Sequence, residues 1–348
     1  MRLLDRVLIQ GVVPAFGWLA DAKAAPESAF TLTRWREHFE PLLNAKKLAS
    51  VIPIVADNVA HYYWCEVAQE NWELSKDFPC IAPPFDRPFW IEYKVPKYSL
   101  TTGGTKISMN EGMGGIHVGC YIEPYDLVAQ DYSQTFSGGW RQEMLTDYKR
   151  RGCRWLLGIR IVTCERKDPP IGGGSMIVAV KEDGTALTKM GARLPGEEGA
   201  DVKISIPGLM EEAVPQDLLY DAFTAYNVST HPAFLALCFM HCKNVTQRTT
   251  VPSCKLNKKH KRRTGNSLIQ YTTLEIDPTR SQSRSKSDRL TSIGERSLHI
   301  CRGHFKTYTK DRPLLGKHTG TYWWPSHVRG TEYQGTVIHG YNVKGRNG

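Results

Sequence analysis

Apolar residues recur at helical spacing through Trp35, Phe39, Leu42 and Leu43, with Thr31 or Thr33 placed to cap a helix and Pro41 disturbing its later part. A second helical stretch, rich in Tyr and Trp, is predicted from Val55 to Leu74. CIAPPFDRP, Cys80 to Pro88, holds too much proline for a helix and should be extended. It leads into a strand at Phe89 to Val95. Further strands are predicted at Ile116 to Ile122, Trp155 to Val162, Met176 to Val180 and Val202 to Ile206, with a hairpin turn at Asp183-Gly184. Gly103-Gly104 and the NEGMGG cluster ending at Gly115 punctuate this part. That cluster lacks the Lys-Ser/Thr ending of a phosphate loop, so a turn feeding the next strand is expected.

Gly, Pro and acidic residues gather between Gly196 and Pro215 and suggest a domain boundary there. Pro215 to Val228 then reads as a helix with Leu218, Leu219, Phe223 and Tyr226 on one face. Pro232 suits the first turn of another helix, capped by Ser229 or Thr230. Its sequence, PAFLALCFMHC, is apolar nearly all round and should be buried. Strands follow at Leu268 to Ile276, Leu298 to Tyr308, Gly320 to Trp324 and Thr336 to Val343. Between them, Arg280 to Arg296 has too little apolar content to pack and reads as a mobile loop. The predicted class is α+β. A mixed domain, helices first and sheet afterwards, covers residues 1–210, and two helices followed by a small antiparallel sheet cover 211–348.

Composition adds a compartment. MRLLDRVLIQGVVPAFGWLADAKAA runs in signal-peptide order, but Asp5 and Gln10 interrupt it, and a helix or strand packed on the core is expected instead. No apolar run approaches the ~20 residues of a membrane span. Nine scattered cysteines, an odd number without dense spacing, suit a reducing cytoplasm better than a disulfide framework.

Charge changes the picture more. From His231 to Gly348 there are 21 Lys and Arg against 6 Asp and Glu, leaving 24 against 29 for the first 230 residues. Such asymmetry favours a polyanionic partner, RNA or DNA, for the C-terminal part. A protein partner is a further candidate for the front domain. The densest basic run, KLNKKHKRR, carries Lys258, Lys259, Lys261, Arg262 and Arg263, and Lys243, Arg302 and Lys317 join them as candidate phosphate contacts. A solvated loop is the plainer account of the same run.

Candidate chemistry concentrates in Leu298 to Gly330, where histidines, cations and aromatic rings interleave. Metal-independent RNA cleavage needs a base, an acid and cations around the phosphorane. His304 and His327, each followed two residues later by a cation (Lys306 and Arg329), are the candidates, with Tyr308 extending the same strand face. Binding without catalysis uses the same cations and rings through phosphate contact and base stacking. On a strand, Trp323 and Trp324 point to opposite faces, so at least one belongs to the core. Zinc is the third reading, since Cys238-x2-His241 and Cys301-x2-His304 occur with Cys242 and Cys254 nearby. PAFLALCFMHC reads as core, however, and small buried cysteines are common. No cofactor is implied.

HCKNV (His241 to Val245), KLNKKHKRR (Lys255 to Arg263), LHICRGHF (Leu298 to Phe305) and GTYWWPSHVRG (Gly320 to Gly330) resemble segments of uncharacterised proteins encoded by bacteriophages and bacterial mobile elements. IAPPFDRPFWIEY in the front part is similar to the same group. That resemblance implies a setting rather than an activity. A looser likeness, at the level of fold alone, is to barnase-, EndoU-, colicin- and RelE-type nucleases. The expectation is therefore a cytoplasmic nucleic-acid-handling protein, a ribonuclease or a non-catalytic binder, with a phage structural or host-interaction protein as the remaining class.

Overall fold

LLDRVLIQ forms α1 (Leu3–Gln10), which buries Leu3, Leu4 and Val7 on one side. Gly11, at φ 72°, ends it and donates its N–H to the Val7 carbonyl. The computed structural model describes residues 2–14, 48–64, 78–96, 99–102, 105–108, 114–129, 139–165, 168–187, 203–205, 229–265, 267–276, 297–301, 303–324, 327–329 and 331–336. They fall into two units, Met1–His241 with Gln247–Leu274, and Cys242–Thr246 with Glu275–Gly348. The class is α+β.

The first unit is built on a mixed sheet. Its strands are β1 (Val13–Pro14), β2 (Ile52–Val55), β3 (Phe89–Lys94), β6 (His117–Asp126), β7 (Cys153–Cys164), β8 (Ile171–Lys181), β9 (Lys203–Ser205) and, by their residues 247–250 and 271–274, β10 (Val245–Thr250) and β11 (Tyr271–Ile276). Spatial order is β1-β8-β7-β6-β3-β2-β11-β10, with β9 on β8. Two short strands, β4 (Ser99–Thr102) and β5 (Thr105–Ser108), pair outside it. The long β6-β7-β8 meander is antiparallel, whereas β3, β2 and β11 run parallel. Parallel neighbours need a crossover, and α2 (Asp57–Tyr62) lies in the connection between β2 and β3.

The β3 sequence FWIEY is buried at all five positions because both of its faces are covered. Trp90 packs with Leu3, Leu4 and Val7 of α1. On the other face, the Tyr93 hydroxyl donates to the Ser229 carbonyl of α4, helical over 229–240. Gly119 on β6 is fixed by Trp90, since a Cβ there would stand 2.0 Å from the indole Cζ2. α3 (Gly139–Arg150) sets Leu145 and Tyr148 against Leu127, Leu156 and Ala179. The turn after β8 follows expectation, with Gly184 at φ 85° and the Lys181 N–H donating to the Thr185 carbonyl at 2.8 Å. Gly115, at φ 95°, likewise turns the chain into β6.

Several elements differ from the sequence reading. Val55 ends β2 instead of opening the helix, which begins at Asp57 as α2, and residues 65–74 of the expected helix lie outside the described residues. Ser229 and Thr230 lie inside α4 rather than capping it. The basic run forms a helix, α5 (Cys254–Thr264), instead of a solvated loop, and both α4 and α5 sit in the first unit. In the second unit the run from Leu298 to Tyr308 is broken into β12 (Ser297–Cys301) and β13 (His304–Tyr308). β13 pairs antiparallel with β14 (Gly320–Trp324), while β12 pairs antiparallel with β15 (His327–Arg329) and parallel with β16 (Thr331–Thr336). The helices expected at 31–43 and 215–228, the boundary near 196–215, the loop at 280–296 and the chain beyond Thr336 lie outside the described residues. Among the described residues, no helix is long and apolar enough to cross a membrane.

Candidate nucleic-acid interfaces

Period-2 alternation and the β13–β14 register sort the second unit's hairpin into two faces. His304 pairs with Trp324, Lys306 with Tyr322 and Tyr308 with Gly320; the intervening pairs are Phe305 with Trp323 and Thr307 with Thr321. Phe305 and Trp323 pack with their rings tilted by 57° and 4.6 Å between centroids, and the Thr307 and Thr321 hydroxyls meet at 2.9 Å. His304, Lys306, Tyr308, Tyr322 and Trp324 share the opposite face. There the Lys306 ammonium stands 5.1 Å from the Tyr308 ring centroid, and Tyr308 meets Tyr322 edge-on at 5.9 Å. His304 and Lys306 are exposed, while Tyr308, Tyr322 and Trp324 are half-buried.

Residues 242–246 brace this hairpin. The Asn244 side chain accepts from the Trp323 N–H at 2.9 Å and donates to the Trp323 carbonyl at 2.8 Å, as a neighbouring strand would. The Lys243 N–H donates to the Thr321 carbonyl, and its side-chain carbons run alongside Gly320. Beyond the strands, the connection between β13 and β14 exposes Lys310, Arg312, Lys317 and His318. It is closed by reciprocal hydrogen bonds between Leu314 and His318.

In the first unit, α5 owes its ends to Ser253, whose Oγ accepts from the Leu256 N–H, and to Gly265, a left-handed residue at φ 79° that returns its N–H to the Lys261 carbonyl. His260 is buried, whereas Lys255, Lys258, Lys259, Lys261, Arg262 and Arg263 are all exposed. Among the described residues, none of these cations lies within ion-pair distance of a carboxylate. Lys255–Lys259, Lys258–Arg262 and Lys259–Arg263 stand at i,i+4, where like charges destabilise a helix by several tenths of a kcal/mol per pair. Cations in the last turn recover part of this from the helix dipole. A polyanion lying along α5 would relieve the rest.

The remaining candidates are dispersed. His304 and His327 do not stand on adjacent strands: β13 bonds β14, and β15 bonds β12, where His327 is opposite Cys301 and Arg329 opposite His299. The cause is the break after Cys301, which puts His304 at the start of a strand in a different sheet. Of β15 the backbone alone is described, and Arg302 lies outside the described residues. Cys238 is buried within α4 and Cys254 is exposed on α5. Among the described residues, no group of three or more His, Cys, Asp or Glu is placed to hold a metal ion. The structure adds Tyr322, Trp324 and Asn244 to the named site residues. Alternation through GTYWW carries the signal for the first two, but pairing across an eleven-residue connection does not show in it.

Fold and surface together define an α+β protein with one aromatic-cationic hairpin face and one cationic helix. Comparison with protein-family models, curated proteins and solved structures finds no match for this chain.

Proposed function

We propose that the protein binds single-stranded nucleic acid, with the β13–β14 hairpin as its stacking face and α5 as a separate cationic contact. The observation that carries this reading is the shared face of His304, Lys306, Tyr308, Tyr322 and Trp324, which joins phosphate-binding cations to rings able to stack on bases. Resemblance to phage and mobile-element proteins supports a setting in which such binding serves an invading genome or its transcripts. Fluorescence anisotropy of labelled single-stranded RNA and DNA with the full chain, across a salt series, tests the proposal. Tyr322→Ala is expected to weaken binding by ~1–3 kcal/mol, the range for loss of one stacked base. Lys306→Ala should reduce the salt slope by about 0.7. No binding at low salt refutes the reading.

A metal-independent ribonuclease is the second reading, favoured by an exposed His304 with Lys306 beside it on one face. His304 would exchange the proton of the 2′-hydroxyl or the leaving 5′-oxygen, with the Lys306 ammonium on the same face at the phosphate. Cleavage in EDTA that falls ~10²–10⁴-fold in His304→Ala supports catalysis. RNA bound but never cut leaves the binding role alone.

A further inference from the structure

Cys80 and His241 lie far apart in sequence, and neither is used by the faces described above. Cys80 follows Phe78 at the head of the proline-rich segment, and His241 follows the last turn of α4; both belong to the first unit. The thiol is hydrogen-bonded to the His241 imidazole and receives the Ala82 N–H. The imidazole in turn donates Nε2–H to the Ala82 carbonyl at 2.9 Å, so one residue, Ala82, orients both groups, through its N–H and its carbonyl. Sγ rests against the backbone of Gly184, where an added Cβ would stand 2.3 Å from it. At the C-terminal end of α4 the carbonyl dipoles favour a positively charged imidazole.

These contacts act in one direction. Burial alone would raise the thiol and lower the imidazole, yet their mutual hydrogen bond and charge, with the Ala82 contacts, leave Cys80 below its ordinary range and His241 above its own. Asp183, the other charged group facing the thiol, opposes this. Its carboxylate is held by the N–H and hydroxyl of Thr185. By contrast, burial pushes Cys120 up to about 12 and also raises Cys164. Cys80 is moreover only half-buried, whereas Cys120 and Cys164 are buried.

We propose that Cys80 and His241 form a reactive thiolate–imidazolium pair that takes small peroxides, making Cys80 a site of reversible oxidation. The thiolate attacks one peroxide oxygen and the O–O bond breaks. The departing hydroxide takes the imidazolium proton and leaves as water. Sulfur is oxidised to the sulfenic acid, peroxide oxygen is reduced, and His241 ends neutral. Acyl transfer fits less well, because the Ala82 N–H that would be asked to stabilise an oxyanion is already committed to sulfur. Peroxide reduction needs only the thiolate and a proton donor.

The test exposes the full-length protein to hydrogen peroxide with dimedone present and locates adducts by peptide mass mapping. Cys80 is expected to be trapped at least about tenfold faster than glutathione under the same conditions, and His241→Gln to slow it about tenfold while the exposed Cys254 is unchanged. Cys254 is the internal reference for the reagent, and the circular dichroism melt reports whether the variant is folded. A second measurement needs no variant: iodoacetamide alkylation of wild-type Cys80 should persist below the ordinary thiol range. Trapping no faster than glutathione, or alkylation that falls tenfold per pH unit from pH 8 downward, overturns the proposal. So does an unchanged Cys80 rate in folded His241→Gln.

Discussion

Replacing Glu92 by Gln should uncover a pH dependence of stability that the wild type hides. Glu92 lies on β3, 2 % exposed, beneath the N-terminus of α1. Its carboxylate accepts the N–H groups of Leu3 at 3.3 Å and Leu4 at 2.9 Å and the Trp90 indole N–H at 3.0 Å, with Arg2 Nε 3.9 Å away. Burial nevertheless dominates and pushes the group from 4.5 up to about 7. The folded state therefore holds a proton that the unfolded state releases between those values. Stability from this group is fully present below pH 4.5 and is lost as pH rises through about 7. A displacement of this size corresponds to about 3 kcal/mol.

His231 works the other way. Buried, with Nδ1 against the Tyr63 hydroxyl at 2.8 Å, it is pushed from 6.5 down to about 4. The unfolded state then binds the extra proton, and stability falls by about 3 kcal/mol as pH drops from 6.5 to 4. The two slopes oppose each other over nearly the same window and largely cancel in the wild type. Glu92→Gln removes one of them. Gln also presents an amide N–H to existing donors, which lowers stability at every pH without adding a slope. Urea unfolding followed by tryptophan fluorescence at pH 4.5 to 7.5 should therefore show the difference, Glu92→Gln minus wild type, growing by about 3 kcal/mol toward high pH. A difference that is flat, or shrinks as pH rises, refutes the reasoning.

The complementary change, His231→Phe, should remove the acid-side loss, so that stability of the variant falls as pH rises from 4.5 to 7, read by the same titration. Gly119→Ala should destabilise by ~1–3 kcal/mol or more, because its methyl would displace the buried Trp90 ring; a variant as stable as the wild type in urea contradicts the packing described. Asn244→Ala should cost ~2 kcal/mol or more by leaving the Trp323 N–H and carbonyl without their partner. It should also speed hydrogen exchange in β14, and unchanged exchange there would show that the clamp is dispensable.

What was legible in the sequence was what apolar pattern alone specifies. FWIEY, bounded by proline on one side and Lys94 on the other, reads as a strand because it is apolar and β-prone, and PAFLALCFMHC reads as buried because it has no polar face. α5 escaped the same logic. A helix whose exposed positions are nearly all cations has no apolar stripe to detect, and its ends depend on the caps Ser253 and Gly265. Glu92 was illegible for another reason. Within a strand, a glutamate reads as a solvent-facing position, yet this one satisfies N–H groups of a helix that begins 89 residues earlier.

Trp323 and Trp324 show where local pattern reaches its end. Alternation requires that adjacent strand residues face opposite ways, and therefore that one tryptophan be inward, but it holds equally for either choice. The choice is made by groups distant in the chain. Phe305 supplies the ring that packs on Trp323, and Asn244 supplies the donor and acceptor that hold its backbone. Once Trp323 is fixed inward, the register leaves Trp324 no alternative to the face of His304, Lys306, Tyr308 and Tyr322. The candidate binding face is thus a consequence of the hairpin's own core. A change at Asn244, which lies on neither face, should therefore weaken nucleic-acid binding as well as stability.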